Sequence, residues 1–492
     1  MITDINTKNE VTAVHKPVKQ LVVTIASQVL SWAFAMIVTF ILPKYRSVAE
    51  FAIFSVMFGY VSLVNTLGDS GMSVLIARTV SIQPNRTWRL LLAAAILKFG
   101  VSVAAIGVLS VFFMVIKYDR YTSQFVVYGI LCSVISQLGT MVKDAIRGFG
   151  RVSTSSVIQL LERGIATGVT VGLAVTRQPL VTFVLVPVLV DIAFGAVSLR
   201  TLSKFVVGET KSDYRLAHEV KFLFGQALLI SSGLLIIQFK DPLNLLLMDY
   251  WGNVDSIGGY SVMKRLLGSA VFLAVAVSQL GLPMLTRAWG TGQNAFTGQL
   301  RTLLQASIIL ALPVTVGFAF HGDNILTLLG LYPKFIYGPV AMAVSAPMVL
   351  LLYIAMLLTN AIVASGKQSQ LAKGSIKVTL VAPLSSIVFI YVAHRLSSNS
   401  SLGAILGDIF IEVLLVCVYH RILDVKVISK RLVTTIAKAV LLCIPLAFAG
   451  MLPNGVFWIV ATVGALGLYA GALYKMGLLH KRMLEVGEES IR

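Results

Sequence analysis

The sequence predicts an all-α, polytopic integral membrane protein with about 14 transmembrane helices. Three observations predict this fold class: 57% of the 492 residues are hydrophobic, only 12% are charged, and the mean hydropathy is +0.87. A water-soluble chain of this length needs many more charges on its surface. The polar stretches between the apolar segments are short, so we expect no sizeable soluble domain.

Each predicted helix is an apolar stretch of roughly 20 residues, the length that crosses the hydrocarbon core of a bilayer. The predicted spans, in chain order, are 20–41, 51–70, 89–115, 124–146, 154–176, 180–200, 221–247, 257–283, 301–320, 338–363, 375–393, 401–421, 432–450 and 455–476.

The formal net charge is +19, from 40 Lys and Arg against 21 Asp and Glu. These bases concentrate in every second loop, and the two heaviest clusters are Arg200, Lys204, Lys211, Arg215, Lys221 and Arg421, Lys426, Lys430, Arg431, Lys438. An excess of bases in alternate loops is the positive-inside pattern of cytoplasmic loops. It predicts that both termini are cytoplasmic, and it explains the charge without nucleic-acid binding.

Two self-matches predict an internal repeat. The segment 54–57 (Phe-Ser-Val-Met) matches 260–263 (Tyr-Ser-Val-Met), and 144–151 resembles 360–367, with Asp/Asn-Ala-Ile at one end and Gly followed by a base at the other. Similar offsets in both matches predict two parallel six-helix lobes with the substrate between them, followed by two extra helices. The predicted division is a cytoplasmic tail at 1–19, an N-lobe at 20–200, a cytoplasmic loop at 201–220, a C-lobe at 221–421, extra spans at 422–476 and a second cytoplasmic tail at 477–492.

Several charged residues fall inside the predicted spans, where an unpaired charge is costly and therefore faces a partner or a polar cavity. Lys98 lies near mid-membrane in the third span, and Lys264 and Arg265 are adjacent in the eighth. Arg265 is the stronger candidate for substrate binding, since a guanidinium can clamp a phosphate through two hydrogen bonds.

Glu162 and Arg163 lie at similar depth to Asp191 in the neighbouring span. An Arg163–Asp191 contact is geometrically possible, and the alternative to a transport role is that these charges are struts between helices. Asp408 and Glu412 are four residues apart on one helical face. Like charges repel there, so one is protonated or is paired with a base from another span. Asp191, Asp408 and Glu412 are therefore the candidates for ion coupling.

Lys143, Arg147 and Arg151 lie one turn apart at the inner end of the fourth span. Two interpretations stay open for them: topology anchors at the lipid headgroups, or a docking strip for an anionic headgroup that arrives from the cytoplasm.

The sequence contains no P-loop, no His-Glu-x-x-His and no Gly-x-Ser-x-Gly. The three cysteines, Cys132, Cys417 and Cys443, lie in apolar spans without metal-site spacing. We therefore expect no catalytic residues, no metal and no cofactor.

In four stretches, 41–64, 67–72, 258–266 and 325–367, the chain resembles the bacterial polysaccharide (Wzx-type, O-antigen) flippases of the multidrug/oligosaccharidyl-lipid/polysaccharide exporter superfamily. The resemblance extends over nearly the whole chain in layout. It implies two six-helix lobes around a central cationic lumen. It also implies a substrate of polyprenyl diphosphate that carries an oligosaccharide repeat unit.

The same resemblance implies a place in the bacterial cytoplasmic (inner) membrane and a role in the synthesis of O-antigen, capsule or exopolysaccharide. The expected partners are the lipid-linked oligosaccharide, membrane lipids, and the polymerase and chain-length proteins of the same pathway. Arg265 occupies the place where related lipid II flippases carry a cavity arginine. Those relatives also have bases in their first two spans. Here the first span offers Gln28, which favours a lipid-linked glycan other than lipid II.

The lumen residues predicted to bind diphosphate or sugar are thus Arg265, Lys264, Arg163, Lys98 and Gln28. Two other classes of protein are the alternatives to this function. A drug or organic-cation antiporter of the same superfamily needs an acidic pocket, whereas this chain has at least as many bases as acids in its spans. A polysaccharide polymerase or ligase needs a long outer loop, which this chain lacks.

Overall fold

The computed structural model describes residues 26–27, 30–31, 33–69, 72–115, 119–206, 216–231, 235–251, 253–425 and 430–475. All regular secondary structure in these ranges is helical. Eleven helices there are long and apolar enough to cross a membrane. The predicted all-α, polytopic membrane fold is therefore confirmed. Gln28 lies outside the described residues.

The chain divides into two compact units, Met1–Pro242 and Leu243–Arg492. The predicted lobe boundaries stay a prediction. The first unit contains the helices α1 (Ala33–Tyr45), α2 (Val48–Asp69), α3 (Met72–Ile82), α4 (Thr87–Val115), α5 (Arg120–Gly148), α6 (Val152–Val175), α7 (Leu180–Ser203) and α8 (Leu216–Ser231). Most residues of its apolar core come from α3, α4 and α5, where Ile76, Leu90 and Ile146 are fully buried, and α6, α7 and α8 contribute one buried residue each.

Helix α9 (Leu235–Trp251) contains the boundary between the units. The second unit continues with α10 (Val254–Ala270), α11 (Phe272–Thr291), α12 (Gln293–Phe320), α13 (Gly322–Leu328), α14 (Gly338–Ala364), α15 (Gln368–Ser397), α16 (Ser400–Leu423), α17 (Lys430–Leu442), α18 (Ile444–Gly450) and α19 (Val456–Lys475). Its core lies between α11, α12, α14, α15 and α16, where Leu300, Leu357 and Ala361 are fully buried. Helices α15 and α16 approach so closely that a Cβ at Gly403 would collide with the carbonyl of Phe389.

Most predicted spans coincide with one helix, but the helices are longer than the apolar stretches. Helix α12 begins at Gln293, whereas the apolar stretch begins at 301. The apolar stretch marks only the part of a helix that faces hydrocarbon, and the helical hydrogen bonds continue beyond it. Helix α3 was not predicted, because it lies in a stretch interpreted as a cytoplasmic loop.

The predicted eighth span, 257–283, is two helices that meet at Val271. The hydroxyl of Tyr353 on α14 donates to the carbonyl of Ala270 (2.8 Å), and the amide of Asn360 donates to the carbonyl of Ser278 (2.5 Å). Side chains that reach into the hydrogen-bond ladder of a helix are a known cause of such breaks. Helix α14 thus holds the irregular α10–α11 segment in place.

The matched segments of the internal repeat have the same local structure. Gly150 and Gly366 both have positive φ, +73° and +72°. The next residue closes the same turn in each, since the N–H of Arg151 donates to Ile146 and the N–H of Lys367 donates to Ile362. Both are helix ends that use a left-handed glycine. The other match also agrees, because α2 begins at Val48 and α10 begins 206 residues later, at Val254.

The two extra spans pack on α12 through an apolar cluster that includes Ala439 and Tyr469, and the Tyr469 hydroxyl donates to the carbonyl of Ile309 (2.7 Å). At one end of this contact, buried His321 joins three segments. Trp458 Nε1 donates to His321 Nδ1 (2.9 Å), which leaves Nε2–H to donate to the carbonyl of Leu446 (2.8 Å). Burial lowers the pKa of His321, although the bond to Leu446 partly opposes this shift.

Candidate functional site

Asp408 is the centre of a buried polar cluster in the second unit. Its side chain is 0% exposed and accepts hydrogen bonds from Asn244 Nδ2 (2.8 Å) and from the Tyr260 hydroxyl (3.1 Å). Lys264 Nζ lies 3.2 Å from Asp408 Oδ2 and is 17% exposed. The buried carboxylate is therefore balanced by a base from another helix, which was one of the two alternatives that the sequence left open. The partner belongs to α10, and the acid belongs to α16.

Arg265 and Glu412 flank this pair. Arg265 follows Lys264 on α10 and is half-buried, and Glu412 lies one turn after Asp408 on α16 and is buried. A buried charge pair needs good geometry and further hydrogen bonds to offset its desolvation. The two donors from Asn244 and Tyr260 supply these bonds to Asp408. The cluster can thus hold Lys264 in a fixed position beside Arg265.

Lys98 is the centre of a second polar cluster, in the first unit. It is 2% exposed, and its ammonium donates to Asp69 Oδ1 (2.7 Å) and to Gln137 Oε1 (3.0 Å). Gln137 in turn donates to Asn65 Oδ1 (2.6 Å), which also accepts from Ser133 (2.9 Å). Lys98 is therefore held by protein groups, and its predicted contact with substrate stays a prediction.

The charges of α6 and α7 pair differently from the contact considered from the sequence. Glu162 of α6 forms a buried ion pair with Lys143 of α5. Asp191 of α7 accepts a hydrogen bond from Ser136, which also lies on α5. Glu162 and Asp191 are also electrostatic neighbours. Within the described ranges the structure shows no Arg163–Asp191 ion pair, and Arg163 is half-buried. The reason is that α5 packs against both α6 and α7 and supplies partners to each.

The three bases at the inner end of α5 do not share one environment. Lys143 is 5% exposed and belongs to the ion pair with Glu162, so it is not part of an exposed strip. Arg147 is partly exposed and donates to Asp144 Oδ1 (2.8 Å) and Gln159 Oε1 (3.0 Å). Arg151 is exposed, with its guanidinium 5.4 Å from the ring centroid of Phe205. Arg151 and Arg147 remain candidates for headgroup docking.

The uncharged members of these clusters were missed at the sequence level. Asn65, Gln137, Asn244 and Tyr260 lie in apolar helices and carry no charge, whereas all the predicted site residues except Gln28 are charged. The side-chain amides inside the predicted spans could have indicated these clusters, since a buried amide needs hydrogen-bond partners. In the described part of the chain, no group of three or more His, Cys, Asp or Glu side chains could hold a metal ion.

No family model matches the sequence. No curated protein matches it either. Among solved structures, the fold is similar to the lipid II flippase MurJ in an inward closed conformation, with a TM-score of 0.70 at 12% identity over 95% of this chain and 100% of that one. This chain has the fold of the MOP-superfamily transporters.

Two further structures support this assignment of the fold. An inward-facing multidrug resistance MATE family transporter of the MOP superfamily matches with a TM-score of 0.59 at 12% identity, over 84% of this chain and 98% of that one. A MOP-superfamily transporter from Pyrococcus furiosus, whose binding pocket of reverse polarity suggests a different function, matches with a TM-score of 0.52 at 13% identity, over 86% of this chain and 95% of that one. At these identities the similarity establishes the fold and leaves the substrate to the chemistry of the site.

Proposed function

We propose that this protein is a flippase that moves a polyprenyl-diphosphate-linked oligosaccharide repeat unit from the inner to the outer leaflet of the bacterial cytoplasmic membrane. The product serves the synthesis of a surface polysaccharide. The proposed mechanism is alternating access, and the protein acts as a transporter, not as an enzyme. The observation that carries the proposal is the adjacent pair of bases Lys264 and Arg265 on α10, beside the buried Asp408, in a MOP-type fold.

A diphosphate cannot cross hydrocarbon without compensation of its charge. Arg265 is suited to this task, because a guanidinium can donate two parallel hydrogen bonds to one phosphate. Lys264 adds a second positive charge on the same helix, and it is partly exposed while its partner Asp408 is fully buried. A drug antiporter of the same fold needs the opposite charge in its pocket.

The Lys264–Asp408 pair also suggests how transport is coupled to an ion. When a diphosphate binds Lys264, Asp408 keeps its bonds from Asn244 and Tyr260 but loses the nearby ammonium. The loss of a positive charge beside a buried carboxylate is strongly unfavourable. Asp408 therefore takes up a cation, a proton or Na⁺, as the cargo binds. Glu412 and Asp191 remain the other candidates for coupling.

The test is surface-polysaccharide production in a deletion strain complemented with the wild type, Arg265→Ala, Arg265→Lys or Lys264→Ala. The amount of each protein in the membrane is measured in parallel. We expect Arg265→Ala to abolish the polymer while the protein stays inserted, and we expect lipid-linked repeat units to accumulate in the inner leaflet. Normal polymer in all three variants would contradict the proposal and would favour the drug-antiporter alternative.

A further inference from the structure

A groove of about 470 Å³ lies between α4 and α8 in the first unit. Its walls are apolar and include Ile96 and Leu97 from α4, and Val220 and Phe224 from α8. Lys221 is the single charged residue in its lining. All its lining residues belong to the first unit, whereas the Lys264–Asp408 cluster belongs to the second, and the groove takes no part in the proposed binding of the diphosphate.

The wall formed by α8 is held firmly from its opposite face. Glu219 is fully buried and accepts a bidentate pair from Arg86, whose Nε donates to Oε1 (3.0 Å) and whose Nη2 donates to Oε2 (2.7 Å). The Arg86 guanidinium also lies 5.8 Å from the ring centroid of Phe222, and Leu223 is fully buried in the core. Bidentate Arg–carboxylate pairs fix geometry as well as adding energy. The groove is thus preformed.

The groove includes the first turns of α8, whereas Ile96 and Leu97 lie nine and ten residues after the start of α4. Arg86 immediately precedes α4 and pairs with Glu219 in the first turn of α8, so both helices begin at the same level. Lys221 is two residues beyond Glu219, about 3 Å along the helix axis. A lysine near the end of a membrane helix can extend its ammonium out of the hydrocarbon towards the phosphate plane.

Lys221 is exposed, and within the described ranges no acidic side chain forms an ion pair with it. An apolar groove with a base at its rim matches one kind of molecule, which has a hydrocarbon chain attached to an anionic headgroup. Bases close to the membrane surface attract anionic lipids.

We propose that this groove is a binding site for an anionic glycerophospholipid, with one acyl chain between α4 and α8 and its phosphate on Lys221. The bound lipid is a permanent component of the first unit and is distinct from the transported cargo. The proposal does not depend on the identity of the cargo.

The experiment measures lipid binding to the full-length protein purified in detergent, by native mass spectrometry and by the shift in melting temperature. The probes are phosphatidylglycerol, phosphatidylcholine and a polyprenyl phosphate. The variants are Lys221→Gln, which removes the charge, and Ala217→Trp, which fills the groove from its α8 wall. Lys204→Gln is the matched control, because Lys204 is an exposed base of the same unit outside the groove.

We expect phosphatidylglycerol to bind more tightly than phosphatidylcholine, and Lys221→Gln to weaken its binding about fivefold, which corresponds to one juxtamembrane base. Ala217→Trp should weaken both phospholipids, and Lys204→Gln should weaken neither. Equal binding of phosphatidylglycerol to the wild type and Lys221→Gln would overturn the proposal. Binding of the polyprenyl phosphate in preference to phosphatidylglycerol would also overturn it, since the groove would then hold the tail of the cargo.

Discussion

Lys264 of α10 and Asp408 of α16 form an ion pair, 3.2 Å long, that joins two helices 144 residues apart in the chain. The acid is fully buried and the base is partly exposed. The pair therefore has one end that is fixed by protein groups and one end that an anion can reach. Because only Lys264 is reachable, the effect of the pair on stability and its proposed role in transport can be measured separately.

The first prediction concerns that separation. Lys264→Ala should destabilise the protein by about 3–5 kcal/mol, because it removes the ammonium that lies 3.2 Å from the buried Asp408 carboxylate. The double variant Lys264→Ala with Asp408→Asn should recover most of this loss, since both charges are then absent. Thermal melting in detergent measures stability, and a transport assay of the same samples measures function. The double variant should be stable and inactive. Recovery of transport together with stability would show that the pair is only a strut.

The second prediction concerns the three bases at the inner end of α5. Lys143→Met should lower the melting temperature markedly, because Glu162 would lose its buried partner. Arg151→Ala should leave the melting temperature nearly unchanged, because Arg151 is exposed. If the cargo headgroup docks here, Arg151→Ala should still lower transport. A large loss of stability in Arg151→Ala would contradict the assignment of a structural role to Lys143 and not to Arg151.

The third prediction uses the repeat. Gly150→Ala and Gly366→Ala should each destabilise the protein by about 1–2 kcal/mol, the cost of a left-handed conformation for a residue with a Cβ. A Cβ at either position meets no atom within 4 Å, so backbone strain is the only cost. Gly168→Ala is the matched control, because this glycine lies inside α6 with the same open space. Alanine there should be neutral or stabilising. Similar melting temperatures for all three variants would refute the shared role of the two glycines.

These glycines also show how far the sequence could predict the fold. The spacing of apolar stretches predicted most helices, and the second match of the repeat, 144–151 with 360–367, contains two helix ends that close with the same turn. The break at Val271 could not be predicted, because the Tyr353 hydroxyl that bonds to the neighbouring Ala270 carbonyl comes from another helix. Likewise, the sequence identified Lys264 and Asp408 as separate charges, but their pairing depends on how α10 packs against α16. Local patterns predict helices, whereas partners across helices follow from packing.

The fourth prediction concerns pH and the docking of the last two helices. The pKa of His321 is lowered in the folded protein, so the unfolded chain binds its proton more readily. Its contribution to stability is complete above a pH of about 6.5, the ordinary pKa of histidine, and is lost as the pH falls through the folded pKa. Protonation of Nδ1 would break the bond from Trp458.

The measurement is the melting temperature between pH 8 and pH 5 (a range of about one and a half units on either side of the ordinary pKa). The wild type should lose stability towards acid pH, and His321→Gln should lose less of it. His420→Gln is the control, because His420 is exposed in the last turn of α16. An unchanged pH profile in His321→Gln would rule out His321 as the titrating group.

The most direct test of the account is the rate at which the purified protein, reconstituted in proteoliposomes, flips a fluorescent polyprenyl-diphosphate oligosaccharide. The wild type, Arg265→Lys and Arg265→Ala are compared, with an organic cation as the alternative cargo. We expect the wild type to flip the lipid-linked oligosaccharide and not to transport the cation. Arg265→Lys should flip it more slowly. Arg265→Ala should lower the flipping rate at least about tenfold, which is about 1.4 kcal/mol. Transport of the organic cation by the wild type, with a wild-type rate in Arg265→Ala, would contradict this account.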